Sequence, residues 1–223
     1  MPINEHRVAV LATVDLVNTV QPSDLPRPTP CAGWDLTDLL AHMTVQHRGF
    51  AAAARGHGGD LGNWRVESVI ADVRHDPAHT YAEAAHDVLD AFSQAGIDDA
   101  LFTLPEFGDN ALFPGSIAMG FHFVDYVVHG WDVAASLGVD YALPADVLTA
   151  AMPLVLAVPD GEVRLLDAVP FDPAIEPVDG AGDLDRILRH LGRDPHLTNP
   201  AVSAATYQGP CAAAATSPPT PRA

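Results

Sequence analysis

Apolar residues recur at helical spacing along most of the chain, and proline and glycine punctuate the intervals between the periodic stretches. Val10, Leu11, Val14 and Val17 mark a first amphipathic segment from about Asn4 to Val20, which the four prolines of QPSDLPRPTPCAGWD must end. Asp35 suits the N-cap of a second helix, Leu36 to Ala54, with Asp38 three residues on and Leu36, Leu39, Leu40 and Met43 on one face. A glycine-rich loop, RGHGGDLGNW, and a weaker helical piece from Val66 to Arg74 come next. Thr80 and Glu83 read as a capping box in front of AEAAHDVLDAFSQAG, with Gly96 as its left-handed terminator.

Beyond a loop, LPEFGDNALFPGS, the pattern predicts the longest helix, Ser116 to Leu137, closed by Gly138. Pro144 suits the first turn of another helix reaching about Ala157, which Pro153 should kink or shorten. The segment PDGEVRLLDAVPFDPAIEPVDGAG contains short alternating pieces that could be extended, and DLDRILRHLG is a last helix. Without a convincing strand series or a fixed-period repeat, these elements predict an all-α fold. The expected organisation is one helical-bundle domain over residues 1–198 followed by a disordered tail, 199–223.

Composition narrows the function more than the fold. With 48% hydrophobic and 18% charged residues the chain suits a soluble globular protein, and no apolar run approaches the roughly 20 residues that a bilayer crossing needs. The N-terminus lacks a basic segment before an apolar one, so a cytoplasmic location is expected. A formal net charge of -18 argues against nucleic acid, whose phosphates are bound by clustered Lys and Arg. Only two cysteines, Cys31 and Cys211, are present, so any metal would need histidine and carboxylate ligands.

The stretch FHFVDYVVHGWDVAASLG interrupts an otherwise apolar helix with His122, Asp125, His129 and Asp132. At 3.6 residues per turn these four fall within about 80° of one another, a narrow line on a helix that is apolar elsewhere and should lie inside the bundle. Buried imidazoles and carboxylates cost several kcal/mol unless hydrogen bonds, opposite charge or a metal match them. Asp125 and His129, at i and i+4, project side by side and can hold one divalent ion, or simply pair with each other. His42, near the core face of the second helix, would complete a three-ligand set with open positions, although a lone core histidine also serves as a hydrogen-bonded structural residue. Asp132 reads as a hydrogen-bond acceptor or base beside the site rather than a ligand. His122 reads as a non-ligand, and His47, His57, His75, His79 and His86 as solvated.

The stretches PTPCAGWDLTDLLAHM and DYVVHGWDVAASLG, in this order, resemble the DinB/YfiT-like metal-binding proteins, in the branch that includes the N-terminal domain of mycothiol-dependent maleylpyruvate isomerase. LDRILRHLGRDP resembles the ending of short actinobacterial members, so the resemblance spans roughly residues 5–196. It implies an up-and-down four-helix bundle with extra short helices, in which His42, Asp125 and His129 bind a divalent metal and Asp132 lies at the active site. The C-terminal α/β domain of the isomerase has no counterpart expected here, since about 80 residues follow Tyr141.

The resulting expectation is a metal-dependent enzyme of the mycothiol-dependent isomerase or S-transferase type. Zinc is the favoured metal, with nickel, iron or manganese as substitutes, and it would activate a thiol, such as mycothiol, or water against a small electrophilic substrate. Asp132 and His122 are the candidate catalytic residues. The alternative is a non-catalytic helical-bundle protein that binds a metal or a small metabolite. A small molecule is the expected partner, with no nucleic acid or membrane, and a homodimer is a further candidate state. Arg164, Arg186, Arg189 and Arg193 carry no motif that places them at the site.

Overall fold

A computed structural model describes residues 2–166 and 171–196; the expected tail, 199–223, lies outside the described residues. Four long helices build the core: α1 (Ile3–Val17), α2 (Leu36–Ala54), α4 (Pro77–Phe92) and α5 (Gly115–Leu137). Around the bundle, α1 and α2 each pack on both α4 and α5, so α1 and α2 hold opposite corners. The short α3 (Ile70–His75) braces α2 and α4, while α6 (Ala145–Leu156) and α7 (Asp183–His190) pack on each other, with α6 also against α1 and α5. The all-α architecture expected from the periodicity is thus observed. No helix among the described residues is long and apolar enough to cross a membrane.

The boundaries of α2 and α5 follow the sequence signals closely. Asp35 and Asp38 form a reciprocal capping box at 3.0 and 3.2 Å, and Gly138 closes α5 in the left-handed conformation at φ 71°. Elsewhere the structure differs from expectation. Helix α4 starts at Pro77, with Asp76 accepting from the His79 amide at 3.0 Å, so Thr80 and Glu83 lie inside the helix. Proline presets the first helical φ, and a carboxylate is a better cap than a threonine hydroxyl. Gly96 is left-handed at φ 80°, but α4 has already ended at Phe92.

The stretch read as a loop contains an antiparallel hairpin, β1 (Leu101–Thr103) with β2 (Leu112–Pro114). Three residues per strand are too few to show alternation. Conversely, the segment after α6 holds a 3-10 turn, Gly161–Leu165, and no strand among its described residues.

The apolar core has three parts. Val10, Val14, Leu36, Leu39, Leu40, Met43, Tyr81 and Leu89 join α1, α2 and α4. Phe123, Val127 and Val128 of α5 meet Val147 and Val155 of α6 and Ile187, Leu188 and Leu191 at the end of α7. Phe50, Trp64, Phe92, Phe102 and Met119 pack beneath the hairpin. Helix α5 therefore has apolar partners on most sides, and its polar stripe is buried at His122, His129 and Asp132 and partly open at Asp125.

Candidate metal centre

The capping box fixes where α2 begins, and His42 follows one turn after Asp38, facing α5. Its ring lies 5.3 Å from that of His129 and 5.0 Å from Trp34, and its Nε2 is buried with no hydrogen-bond partner among the described residues. On α5, His129 Nε2 is 3.3 Å from Asp125 Oδ1. His42, Asp125 and His129 each offer a ligand atom, and all three atoms lie within 4.8 Å of one another. The structure thus brings together the three residues expected to hold a metal.

The chemistry of this donor set fits a divalent ion. Ligands about 2.0–2.1 Å from a tetrahedral zinc stand about 3.4 Å apart, close to the observed Asp125–His129 separation. An unpartnered buried nitrogen on His42 supplies a lone pair that would otherwise be wasted. Burial and the neighbouring His129 charge lower His42 to about 4, against the pull of Asp125, so this imidazole is neutral and ready to ligate at neutral pH. At His129 burial works downward, but Asp125 and then the hydrogen bonds to Asp125 and Asp132 raise it to about 9. Asp125 is held below the usual carboxylate range; burial works upward and is outweighed first by His129, then by His42 and Arg193. Its side chain is 23% exposed against 3% for His129, so the ligand set opens to solvent on the Asp125 side.

Behind His129 stands a second layer. His129 Nδ1 shares a 2.8 Å hydrogen bond with Asp132 Oδ2, and Arg193 donates to both oxygens of Asp132, from Nη2 at 3.1 Å and Nε at 3.4 Å. Asp132 is fully buried, and its carboxyl stays well ionised because Arg193, followed by His129, overcomes the upward push of burial. The sulfur of Cys31 lies 3.6 Å from Asp132 Oδ2. Cys31, His129 and Asp132 also fall within ligand distance of one another, but Cys31 is not a free thiol and Asp132 is already committed to Arg193 and His129.

The stripe divides at His122. Nearly two turns before His129, its Nδ1 shares a 2.9 Å hydrogen bond with His6 Nε2 of α1, and its Nε2 a 3.1 Å bond with His47 Nδ1 of α2. All three histidines are fully buried, so His47 is not solvated as expected. Rings of Phe50, Phe92 and Tyr126 surround His122 at centroid distances of 5.0, 5.3 and 4.2 Å. Burial pushes His6 down to about 3 and carries His47 and His122 well below the usual imidazole value, neighbouring histidines adding to the effect. His122 is therefore part of a closed, neutral hydrogen-bonded chain and lies away from the exposed edge of the ligand set. The exposed placement of His57, His75, His79 and His86 matches expectation.

The hairpin supplies a residue at the open side. Gln46 lies one turn beyond His42, and Phe121 one turn before Asp125. Gln46 Nε2 donates to Glu106, and the Phe107 ring stacks 4.8 Å from Phe121, so the turn Pro105–Phe107 bridges α2 and α5 beside the ligands. Glu106 is exposed as a residue, yet its carboxyl turns in to the buried Gln46 amide. Burial raises this carboxyl to about 7; the Gln46 hydrogen bond opposes the rise, and the charge of Asp125 adds to it.

Arg193, His6, His47 and Glu106 were not recognisable as site residues. Their partners are 61, 116, 75 and 60 positions away in sequence, and no local spacing encodes such meetings. The one local mark of Arg193 is that it follows Gly192, just past the end of an amphipathic helix.

Comparison with known proteins gives the family and the fold. Residues 7–134 match the family described as the mycothiol maleylpyruvate isomerase N-terminal domain. The uncharacterized proteins Rv0738 and MT0763 of two Mycobacterium tuberculosis strains are each 31% identical over 162 residues, covering 69% of this chain and 79% of the relative. The crystal structure of the mycothiol-dependent maleylpyruvate isomerase superposes with a TM-score of 0.54 at 11% identity, and a mutant of it with 0.53. That superposition covers 70% of this chain and 66% of the isomerase. At this identity the superposition speaks for the fold, and the match along the sequence speaks for descent. The chain belongs to the mycothiol maleylpyruvate isomerase N-terminal domain family.

Proposed function

We propose that this protein is a metal-dependent enzyme of the mycothiol-dependent isomerase or S-transferase type, acting on a small electrophile. The observation that supports the reading best is a three-ligand set, His42, Asp125 and His129, drawn from two helices and opening at Asp125. A divalent metal held there, zinc by preference, would lower the pKa of a thiol entering the open position and present it as a nucleophile near neutral pH.

The chain's own residues then have distinct tasks. Asp132 holds the Nδ1–H of His129 so that Nε2 faces the ligand position, a role behind the metal rather than at the substrate. Glu106, at the open edge and with a carboxyl near neutrality, is placed to give and take the proton that addition and elimination require. His122 has no part in this reading, since both its nitrogens are engaged inside the bundle. Thiol addition to an activated carbon–carbon double bond, followed by rotation and loss of the same thiol, gives isomerisation; retention of the thiol gives transfer.

The test joins elemental analysis to turnover. Purified untagged protein should contain about one equivalent of a transition metal, and His42→Ala and His129→Ala should contain little. The metal-loaded protein should consume maleylpyruvate or a related activated alkene only when mycothiol or another small thiol is added. Stoichiometric metal with no thiol-dependent turnover across such electrophiles would leave a metal-binding protein without this chemistry, and absence of metal after reconstitution would refute the site.

A further inference from the structure

We infer that Arg193, outside the segment that matches the family, is a positioning residue of the metal centre, acting through Asp132 to fix the orientation of His129. The path is continuous. Arg193 is 3% exposed and grips both oxygens of the fully buried Asp132, at 3.1 and 3.4 Å, and Asp132 Oδ2 in turn meets His129 Nδ1 at 2.8 Å. With Nδ1–H directed at a fixed carboxylate, the ring of His129 can present only Nε2 to Asp125 and His42.

The local sequence explains how an arginine reaches so deep. Leu188 and Leu191 anchor the end of α7 against α5, and the Arg193 amide donates to the Leu188 carbonyl at 2.9 Å. Gly192 makes the turn at φ 78°, and a Cβ there would stand 2.6 Å from Asp172 Cβ, so only glycine lets the chain pass. Once past it, Arg193 Nη1 donates to the Leu191 carbonyl at 3.0 Å, and the Phe171 ring covers the guanidinium at 5.5 Å. The planar fork is thereby fixed before it meets Asp132, and a flexible ammonium could not reproduce the two-point grip. The carboxylate of Asp132 alone could rotate; gripped from behind, it cannot.

Two readouts test the inference, and only the second rests on the proposed metal function. In metal-free protein, the Nδ1–H of His129 should give a slowly exchanging downfield proton resonance that is lost in Arg193→Gln and partly kept in Arg193→Lys, with helical content preserved in both. In a chelator competition with zinc alone, Arg193→Gln should bind about tenfold more weakly than the parent, as disturbed outer-shell partners of metal sites do, and Arg193→Lys should fall between. The exposed Arg186→Gln should change neither. A His129 resonance unchanged in Arg193→Gln would overturn the positioning role whether or not zinc binds. A resonance present in the parent and lost in Arg193→Gln, with a parent that binds no zinc, would uphold the role and refute the metal reading separately. Should Arg193→Gln fail to fold, Arg193→Lys decides: equality with the parent in both readouts overturns the inference.

Discussion

Acid should unfold this protein earlier than its carboxylates require, through the chain of His6, His122 and His47. Each is neutral in the fold, with His6 pushed down to about 3 and the other two well below their usual value, whereas in the unfolded chain each titrates near 6.5. The sign follows from the protons bound. Because the folded values are depressed, the unfolded state takes up protons first, so stability is complete above about pH 7 and falls as the pH drops through 6.5. Between pH 7 and pH 5 His6 alone removes about 2 kcal/mol, a figure set by its unfolded value because the folded one is about 3, and His47 and His122, depressed in the same direction, add to the loss. In the metal-free protein, His42, lowered to about 4, adds a further loss of about 2 kcal/mol, while His129, raised to about 9, offsets it by just under 1 kcal/mol. Urea unfolding of metal-free protein at pH 7, 6 and 5 measures the slope. His6→Phe, whose new ring would join Phe92 and Phe123, should reduce the pH 7 to 5 loss by about 2 kcal/mol. A stability that changes by under about 2 kcal/mol over that interval, or a His6→Phe slope equal to the parent's, would refute the reasoning.

Three further outcomes are expected. Gly192→Ala forces a side chain onto a left-handed turn and into Asp172, so it should cost about 2 kcal/mol or more in urea unfolding and weaken zinc binding along with it. Gly130→Ala drives a methyl into the Tyr141 hydroxyl and against Thr13, and should cost about 1–3 kcal/mol of stability in urea unfolding without altering the ligand residues. Glu106→Gln should leave metal content unchanged and abolish the pH dependence of thiol-dependent turnover near pH 7; an unaltered profile would remove Glu106 from the mechanism.

The legible part of this protein is what local spacing encodes. The i, i+4 relation of Asp125 and His129 survives any tertiary arrangement of α5, and the Asp35–Asp38 box fixes α2, so His42 is presented from a predictable face. Hence three ligand candidates could be named from the chain and are found together. What failed depended on competition or on long-range meeting. Thr80 lost the cap of α4 to Asp76 because Pro77 favours an earlier start. The hairpin escaped because three-residue strands carry no period, and with it escaped Glu106. His47 reads as solvated because it lies on a mixed face of α2, and nothing local announces His122, 75 positions away, as its partner. Seven residues are nearly two turns, about 10 Å, which is far enough for His122 and His129 to serve separate clusters.

Charge separates those clusters and yields a last prediction. The histidine chain contains no acid among the described residues and stays neutral, whereas in the ligand cluster the described residues set Asp125 and Asp132 against Arg193, a balance of one negative charge among them when His42 and His129 are neutral. In the metal-free protein a proton on His129 restores neutrality, which is why burial fails to depress that imidazole and it rises to about 9. A divalent ion supplies the same compensation and needs the same Nε2 lone pair, so metal and proton compete for one atom. Zinc binding at pH 7 should therefore release about one proton, and the affinity should climb close to tenfold per pH unit from pH 7 until it levels near the His129 value of about 9. Calorimetric titrations in two buffers of different ionisation enthalpy count that proton directly. Release of none at pH 7, with affinity flat from pH 7 to 8, would mean that His129 is already neutral before the metal arrives and that the two aspartates are compensated by something other than its proton.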